Sequence, residues 1–109
     1  MSDRVRFMRL VVFFDLPMTN ASERKAYARF RKFLLKDGYL MLQNSVYAKM
    51  VTSSASAGGA VQRITKNRPS EGVVQMLQVT EKQFASMTFI TGERKEHEEV
   101  DTMERLVVL

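Results

Sequence analysis

The sequence predicts an α+β fold of the ferredoxin-like class, in which an antiparallel βαββαβ sheet carries two helices on one face and a short C-terminal strand follows. Three observations support this: a strand-like run that is apolar on both faces, two segments with helical spacing, and extended segments between them. At 109 residues the chain is predicted to be a single domain. We expect its core at about 7–91, a charged linker at 92–104 and a terminal strand at 105–109.

The first two elements are a strand from Phe7 to Phe14 and a helix over about 20–36. The strand is rich in β-branched and aromatic residues, and because both of its faces are apolar we expect it in the centre of the sheet. Asn20 has the position of an N-cap, with Glu23 in capping-box spacing, and Gly38 provides the C-terminal stop. The inward residues of this helix recur at helical spacing, namely Ala26, Tyr27, Phe30, Phe33 and Leu34.

Three further extended segments complete the predicted sheet. They are Tyr39 to Val51, Gly72 to Val79 as a third strand, and Phe84 to Thr91 as a fourth strand after a turn at 80–82. The first and third strands are expected to form the central pair, with both faces apolar. Two helices cover only one face of such a sheet, and a large apolar patch is rarely left in water. We therefore expect a second copy of the chain to cover the other face in a homodimer.

The second helix begins in the segment 53–56 and ends before Pro69. Its inward positions are predicted to be Ala57, Ala60, Val61 and Ile64. Gly58 and Gly59 lie inside it without the spacing of a phosphate-binding loop. We interpret them as small residues that let the helix approach the sheet closely.

The last residues are predicted to bind a partner. The segment 92–104 is acidic and contains half of the Asp and Glu residues of the chain. The strand after it is apolar, and such a strand adds readily to the edge of a sheet, either in its own dimer or in a partner protein. The predicted partner-binding residues are Leu106, Val107, Val108 and Leu109.

The composition excludes several classes of site and location. There is no cysteine, which rules out disulfides, cysteine-bound zinc and thiol nucleophiles, and there is one histidine, His97. The longest unbroken apolar run, Leu10 to Phe14, is far shorter than the roughly 20 residues that span a bilayer. A cytoplasmic protein without a membrane partner is therefore expected.

The charge of the chain points to a polyanionic partner. Lys and Arg number 17 against 12 Asp and Glu, and the acids are concentrated near the C-terminus, so the body of the protein is strongly basic. This distribution favours nucleic acid. The outer face of the first helix has many basic residues and almost no acidic ones. Solubility does not require this, because a mixture of acidic and basic residues would also keep the helix soluble. Its predicted nucleic-acid-binding residues are Arg24, Lys25, Arg29, Arg31 and Lys32.

Asp15 is the candidate for chemistry. It ends an apolar central strand, where ligands and backbone amides often meet, although an aspartate there is equally often a turn former or a helix cap. One carboxylate is a weak magnesium site, whereas a sheet-to-sheet dimer would bring two copies of Asp15 towards one axis. A metal held there could activate water for phosphodiester chemistry.

Several motifs together resemble one family. They are VVFFDLP at 11–17 followed by the basic helix, DGYL at 37–40, QNSVY at 43–47 and ERLVVL at 104–109. In their order and spacing they resemble the small CRISPR-associated Cas2 proteins, and most of all the type II members. Many members have a tyrosine where this chain has Phe14, which would remove a hydroxyl near the metal.

The resemblance implies a ferredoxin-like homodimer that works with the Cas1 integrase in acquiring spacers. It also implies a magnesium-dependent endoribonuclease or endonuclease, with Asp15 as the catalytic and metal-binding residue and one Mg²⁺ shared across the dimer axis. Protospacer DNA is the expected nucleic acid, with single-stranded RNA as the other option. The enzyme and a structural DNA-binding bridge both remain open. A non-catalytic RNA-binding module of the same fold is an alternative, but the sequence lacks the RNP1 run that it would need. A small-molecule regulatory domain would not explain the basic charge.

Overall fold

One antiparallel sheet with two helices packed on it forms the framework of the computed structural model, which describes residues 7–93. The elements follow in the order β1 (Met8–Asp15), α1 (Ala21–Lys36), β2 (Leu40–Gln43), β3 (Val46–Val51), α2 (Ser54–Lys66), β4 (Val73–Thr80) and α3 (Glu81–Ala85). The strand order across the sheet is β2-β3-β1-β4. This arrangement confirms the predicted ferredoxin-like α+β fold. The terminal strand at 105–109, His97 and the linker beyond Glu93 lie outside the described residues.

Both helices pack on the same face of the sheet, as predicted. Alternate residues of β1 point to this face, because successive side chains of a strand point to opposite sides. The buried cluster joins β1 to residues of α1, α2 and β3, namely Leu10, Val12, Phe14, Leu16, Phe30, Leu34, Tyr39, Tyr47, Val51, Ala57, Ala60 and Ile64. Burial of this cluster supplies the main driving force for folding and fixes β1 in the centre of the sheet.

The predicted limits of α1 are confirmed. The Asn20 side chain accepts a hydrogen bond from the Glu23 backbone N–H at 2.8 Å, as an N-cap does. The Glu23 carboxylate turns back one residue further than in a standard capping box and accepts bonds from the backbone N–H and the hydroxyl of Thr19. Gly38 has a φ of 100°, a left-handed conformation that suits glycine and ends the helix.

The second extended stretch is a hairpin, and the predicted central pair is partly wrong. The segment from Tyr39 to Val51 contains the strands β2 and β3, joined by a turn at residues 44–45. β1 is central, but its inner neighbour is β3, whereas the predicted third strand, Gly72 to Val79, forms the edge strand β4. The reason is the antiparallel crossover, in which each helix connects two strands that have another strand between them.

The predicted fourth strand from Phe84 to Thr91 is wrong. β4 continues to Thr80, and the short helix α3 follows in place of the predicted turn. The Thr80 hydroxyl accepts from the Gln83 N–H at 3.0 Å, and the Gln83 side chain accepts from the Thr80 N–H at 2.9 Å. This reciprocal capping box starts a helix, and local capping outweighs the apolar pattern of the following residues. Residues 86–93 have no regular secondary structure.

Two predictions about α2 are also wrong. Ala57, Ala60 and Ile64 are buried as expected, but Val61 is 43% exposed. Gly58 does not serve close packing, since a Cβ built on it would meet no atom within 4 Å. A Cβ on Gly59 would lie 3.3 Å from the Arg63 guanidinium of the same helix, and not against the sheet. Within residues 7–93 no helix is long and apolar enough to cross a bilayer.

Candidate functional site

The face of the sheet opposite the helices, here called the open face, is largely apolar. From the strand alternation and the register, β1, β3 and β4 place these residues on it: Arg9, Val11, Phe13, Asp15, Val46, Ala48, Met50, Val73, Gln75, Leu77 and Val79. Among them, Val73 is 54% and Leu77 53% exposed, and Phe13 and Met50 are also exposed. The two main helices therefore leave several apolar side chains of this face uncovered, as the sequence predicts, while Val11 and Ala48 are buried, at 6% and 3% exposure.

Asp15 lies at the edge of this face, at the end of β1. It pairs in register with Val73 of β4, and its side chain is exposed. It lines a pocket of about 200 Å³ together with Phe13, Phe14, Ser45, Val46, Val73 and Gln75. The helix-cap alternative is wrong, because Asn20 caps α1 and the Asp15 carboxylate forms no hydrogen bond or ion pair with any residue in 7–93. Its carboxylate is therefore available to a ligand.

The backbone around Asp15 is held on two sides. The Phe14 N–H donates to the Ser45 carbonyl at 3.0 Å, which ties the end of β1 to the β2–β3 turn. On the other side Gly72, with a φ of 91°, lies so close that an added Cβ would be 2.6 Å from the Asp15 carbonyl oxygen. Only glycine fits both the conformation and the space. These contacts position the carboxylate without using its oxygens.

Phe14 has a structural role that the sequence analysis did not predict. Its ring is buried and lies 5.2 Å from the ring of Phe30, 5.7 Å from Tyr47 and 5.8 Å from Tyr27. The edge-to-face and stacked arrangements are those that aromatic rings prefer. The ring therefore lies on the helix-covered side of the sheet, whereas the Asp15 side chain lies on the open face.

The side chains around the pocket include oxygen-bearing groups of the kind that Mg²⁺ binds. Mg²⁺ prefers oxygen ligands and usually takes one or two carboxylates together with water and phosphate oxygens. The residues that line the pocket include one with a carboxylate, Asp15, one with a hydroxyl, Ser45, and one with an amide, Gln75. Residues 7–93 contain no group of three or more His, Cys, Asp or Glu side chains that could hold a metal ion. Within the described residues, one chain therefore provides a single carboxylate to this pocket.

The outer face of α1 is a continuous basic surface, here called the basic face. It comprises Arg24, Lys25, Arg29, Arg31, Lys32 and Lys36, all of which are exposed. None of them forms an ion pair with a residue in 7–93. The one acid of α1, Glu23, bonds to Thr19, and these bonds hold the pKa of its carboxyl below its usual value. The basic charge of this face is thus not neutralised within the described part of the chain.

Sequence reasoning missed Ser45 and Gln75 as residues of the pocket. The sequence contains a signal for Gln75, because alternate residues of a strand lie on one face and Gln75 is the polar residue between the apolar Val73 and Leu77 on that face of β4. Ser45 was part of a recognised motif but had no assigned role. Its place next to Asp15 depends on the register of β3 against β1, which the sequence does not show.

Comparisons with known proteins agree with this architecture. The family model described as CRISPR associated protein Cas2 matches residues 8–87. A solved structure titled as a crystal structure of cas2 has the same fold, with a TM-score of 0.58 at 22% identity, covering 84% of this chain and 93% of that one.

Curated relatives bear the name CRISPR-associated endoribonuclease Cas2. The protein from Treponema denticola is 50% identical over 94% of this chain and its own full length. The protein from Acidovorax ebreus is 52% identical over 78% of this chain and 83% of its own, and that from Streptococcus mutans is 46% identical over 80% of each. With the family match over most of its length and these identities, the chain belongs to the CRISPR-associated protein Cas2 family.

Proposed function

We propose that this protein acts in CRISPR adaptation as a dimeric, nucleic-acid-binding bridge that works with the Cas1 integrase, and that its dimer holds one Mg²⁺ for phosphodiester cleavage. The observation that carries the binding role is the unpaired basic face of α1. The name endoribonuclease of its relatives supports the cleavage role.

The basic face suits the backbone of a nucleic acid more than its bases. At 1.5 Å per residue, the 16 residues of α1 extend about 24 Å, a distance over which duplex DNA presents many phosphates. Ala28 and Leu35 lie between the basic residues on the exposed side of α1, and no aromatic ring is available there for stacking on a nucleobase. Such a surface binds by charge and shape, without reading sequence. This behaviour is what a bridge for protospacer DNA requires.

The open face argues against the RNA-recognition alternative. A module of that kind stacks bases on several aromatic rings of its sheet. Here β1, β3 and β4 place one aromatic residue on the open face, Phe13, among mainly aliphatic side chains, and the ring of Phe84 lies on the guanidinium of Arg9 at its edge. Such a surface is better suited to a second protein sheet than to single-stranded RNA.

The proposed dimer pairs two open faces and completes the metal site. An exposed apolar face of this kind is typical of a protein interface. A two-fold axis near the end of β1 would bring the two Asp15 carboxylates together around one ion. When bound, the ion would lower the pKa of a water molecule and stabilise charge on the phosphate. Asp15 would hold the ion, and the apolar side chains of Phe13 and Val73 beside it would limit the access of bulk water.

The integrase partner is proposed from the family resemblance. We assign its contact to the terminal residues Leu106 to Leu109, which lie outside the described residues. Purification with and without the integrase tests this part, with protospacer DNA binding as the readout. A chain truncated after Thr91 should lose assembly with the integrase, and normal assembly of the truncated chain would refute the assignment.

The substitution Asp15→Asn tests the proposed site, because it preserves shape and removes the charge. Mg²⁺-dependent cleavage of RNA and DNA should fall by several orders of magnitude, since both water activation and charge stabilisation are lost. Affinity for duplex DNA should hold or rise, because a repulsive charge has left the protein. Glu71→Gln is the matched control, since it removes one exposed acidic charge outside the Asp15 pocket. Cleavage by Asp15→Asn at the parental rate would refute the metal site, and loss of DNA binding by the folded variant would refute the separation of the two roles.

A further inference from the structure

Gln75 is a polar residue on the largely apolar open face. Of the residues that β1, β3 and β4 place there, only Arg9, Asp15 and Gln75 are polar. Arg9 is accounted for, because its guanidinium bonds to both carboxylate oxygens of Glu81 at 2.7 and 3.0 Å. Gln75 forms no side-chain hydrogen bond with any residue in 7–93 and lines the pocket of Asp15. Gln75 is exposed in the single chain. In the proposed dimer this face would be covered, and because a buried amide without a partner is costly, its amide would need a hydrogen-bond partner there.

The register brings the Gln75 amide within reach of the Asp15 carboxylate. Gln75 lies opposite Phe13, and Val73 lies opposite Asp15, so Gln75 is the diagonal neighbour of Asp15 on the same face. Diagonal neighbours across an antiparallel pair are about 7–8 Å apart at the backbone, a gap that long side chains span. Both side chains line the same pocket of about 200 Å³.

Ser45 forms the opposite side of the same pocket in a conformation that serine rarely adopts. Its φ is 68°, and it is the one non-glycine residue in 7–93 with a positive φ. Glycine or asparagine would adopt this conformation more easily, and strained backbone of this kind concentrates at functional sites. The backbone carbonyl of Ser45 is used by Phe14, but any residue would supply that carbonyl. What serine adds is its hydroxyl.

We propose that Gln75 and Ser45 bind the non-bridging oxygens of the scissile phosphodiester beside Asp15. This inference rests on the proposed function and extends it to residues that receive the substrate. The residues lining the pocket include no Lys or Arg, so the phosphate there would meet the metal on one side and neutral hydrogen-bond donors on the other. Neutral donors orient a phosphate without competing with the cation for the carboxylate. In this arrangement the pocket, and not the basic face of α1, would select which phosphate reacts.

Gln75→Met tests the amide, because methionine has a similar length and suits the apolar surroundings. Its matched control is Gln78→Met, on the same strand but opposite Leu10, away from the open face. We expect Gln75→Met to lower kcat/KM for Mg²⁺-dependent cleavage by roughly tenfold or more, as the loss of a donor to a reacting oxygen does. Its affinity for Mn²⁺, measured by electron paramagnetic resonance, should stay within about twofold of the parent, since Asp15 holds the metal. Equal cleavage by the two variants would overturn the role of Gln75.

Paired substitutions of Ser45 separate its hydroxyl from its backbone. Ser45→Gly relieves the left-handed strain, and Ser45→Ala retains it, while both lack the hydroxyl. If the hydroxyl binds substrate, both variants lose cleavage to a similar extent. If Ser45 acts only through the turn, Ser45→Gly cleaves as the parent does, which would overturn its role.

The metal measurement distinguishes the two proposals. If the parent protein binds Mn²⁺ through Asp15 and cleaves, and the Gln75 and Ser45 variants cleave equally well, the inference about Gln75 and Ser45 is refuted. The proposed metal site is not refuted by that result. A parent that neither binds Mn²⁺ nor cleaves refutes the metal site and this inference with it.

Discussion

Single residues in this protein show how conformation and burial decide what each side chain does. Gly72 and Gly58 make the clearest contrast. Gly72→Ala places a Cβ 2.6 Å from the Asp15 carbonyl at a φ of 91°, whereas Gly58→Ala adds a Cβ in open space on a helix. We expect Gly72→Ala to lower the free energy of unfolding by at least about 1 kcal/mol and to displace Asp15. Gly58→Ala should raise it by up to about 1 kcal/mol. Urea denaturation of both variants checks this, and equal effects would contradict the proposed role of Gly72.

Tyr39 has a buried hydroxyl with no hydrogen-bond partner among the described residues. Burial, and then the charge of Asp37, raise the pKa of this tyrosine to about 12. Because an unfolded tyrosine releases its proton near pH 10, the unfolded state binds fewer protons than the folded state between these values. The stabilising contribution is present below pH 10 and is lost as the pH rises towards 12.

Replacing this hydroxyl gives a prediction for stability and its pH dependence. Tyr39→Phe removes a buried polar group that lacks a partner, so we expect the free energy of unfolding at neutral pH to hold or rise by about 1 kcal/mol. Its loss of stability between pH 10 and 12 should also be less steep than that of the parent. Thermal unfolding followed across this pH range is the measurement. A variant clearly less stable at neutral pH would show that the hydroxyl has a partner.

The candidate site was only partly predictable at the scale of residues. Asp15 was identifiable because an acid directly after an apolar strand is visible in the sequence. Ser45 and Gln75 were not, because they reach the same pocket only through the registers of β3 and β4 against β1. The Asp37 carboxylate likewise bonds Arg63 at 2.8 Å across 26 residues, and its carbonyl accepts from Lys49 at 2.6 Å. Contacts between distant segments follow from tertiary packing, which local sequence patterns do not encode.

At the scale of elements, capping residues predicted helix limits better than apolar patterns predicted strands. The limits of α1 follow from Asn20 and Gly38, whose preferences are local. The segment after β4 has the apolar residues of a strand, but the capping box formed by Thr80 and Gln83 starts a helix there. The bidentate bond of Arg9 to Glu81, with the guanidinium 4.6 Å from the centre of the Phe84 ring, then fixes α3 against β1.

The basic face of α1 gives a prediction about salt. Each of Arg24, Lys25, Arg29, Arg31 and Lys32, replaced singly by Ala, should weaken binding similarly for all duplex sequences. Each true phosphate contact that is lost should flatten the slope of log K against log salt by about 0.9. Lys66→Ala on α2 is the control, since this exposed lysine lies outside the basic face. Fluorescence anisotropy at several salt concentrations measures the slope, and unchanged slopes across the set would mean that these residues only keep the helix soluble.

At the scale of the whole molecule, the apolar open face leads to a prediction about assembly. Leu77→Glu places a charge on a residue that is 53% exposed in the single chain and would be buried in the proposed dimer. We expect the dissociation constant of the dimer to rise by a factor of ten or more, because the interface would bury an unpaired charge. Val61→Glu, at a position 43% exposed on α2, is the matched control and should leave the dimer unchanged. Sedimentation velocity distinguishes them, and a parent chain that is monomeric at micromolar concentration would refute the dimer.

The proposed dimer shares one metal ion between its two Asp15 residues, and the number of ions bound per chain tests this sharing most directly. Titration of the purified protein with Mn²⁺, followed by electron paramagnetic resonance, should reach saturation at one ion for every two chains. The tight site should disappear in Asp15→Asn, since each chain provides only one carboxylate to the pocket. Saturation at one ion per chain, or unchanged binding by Asp15→Asn, would contradict the shared site.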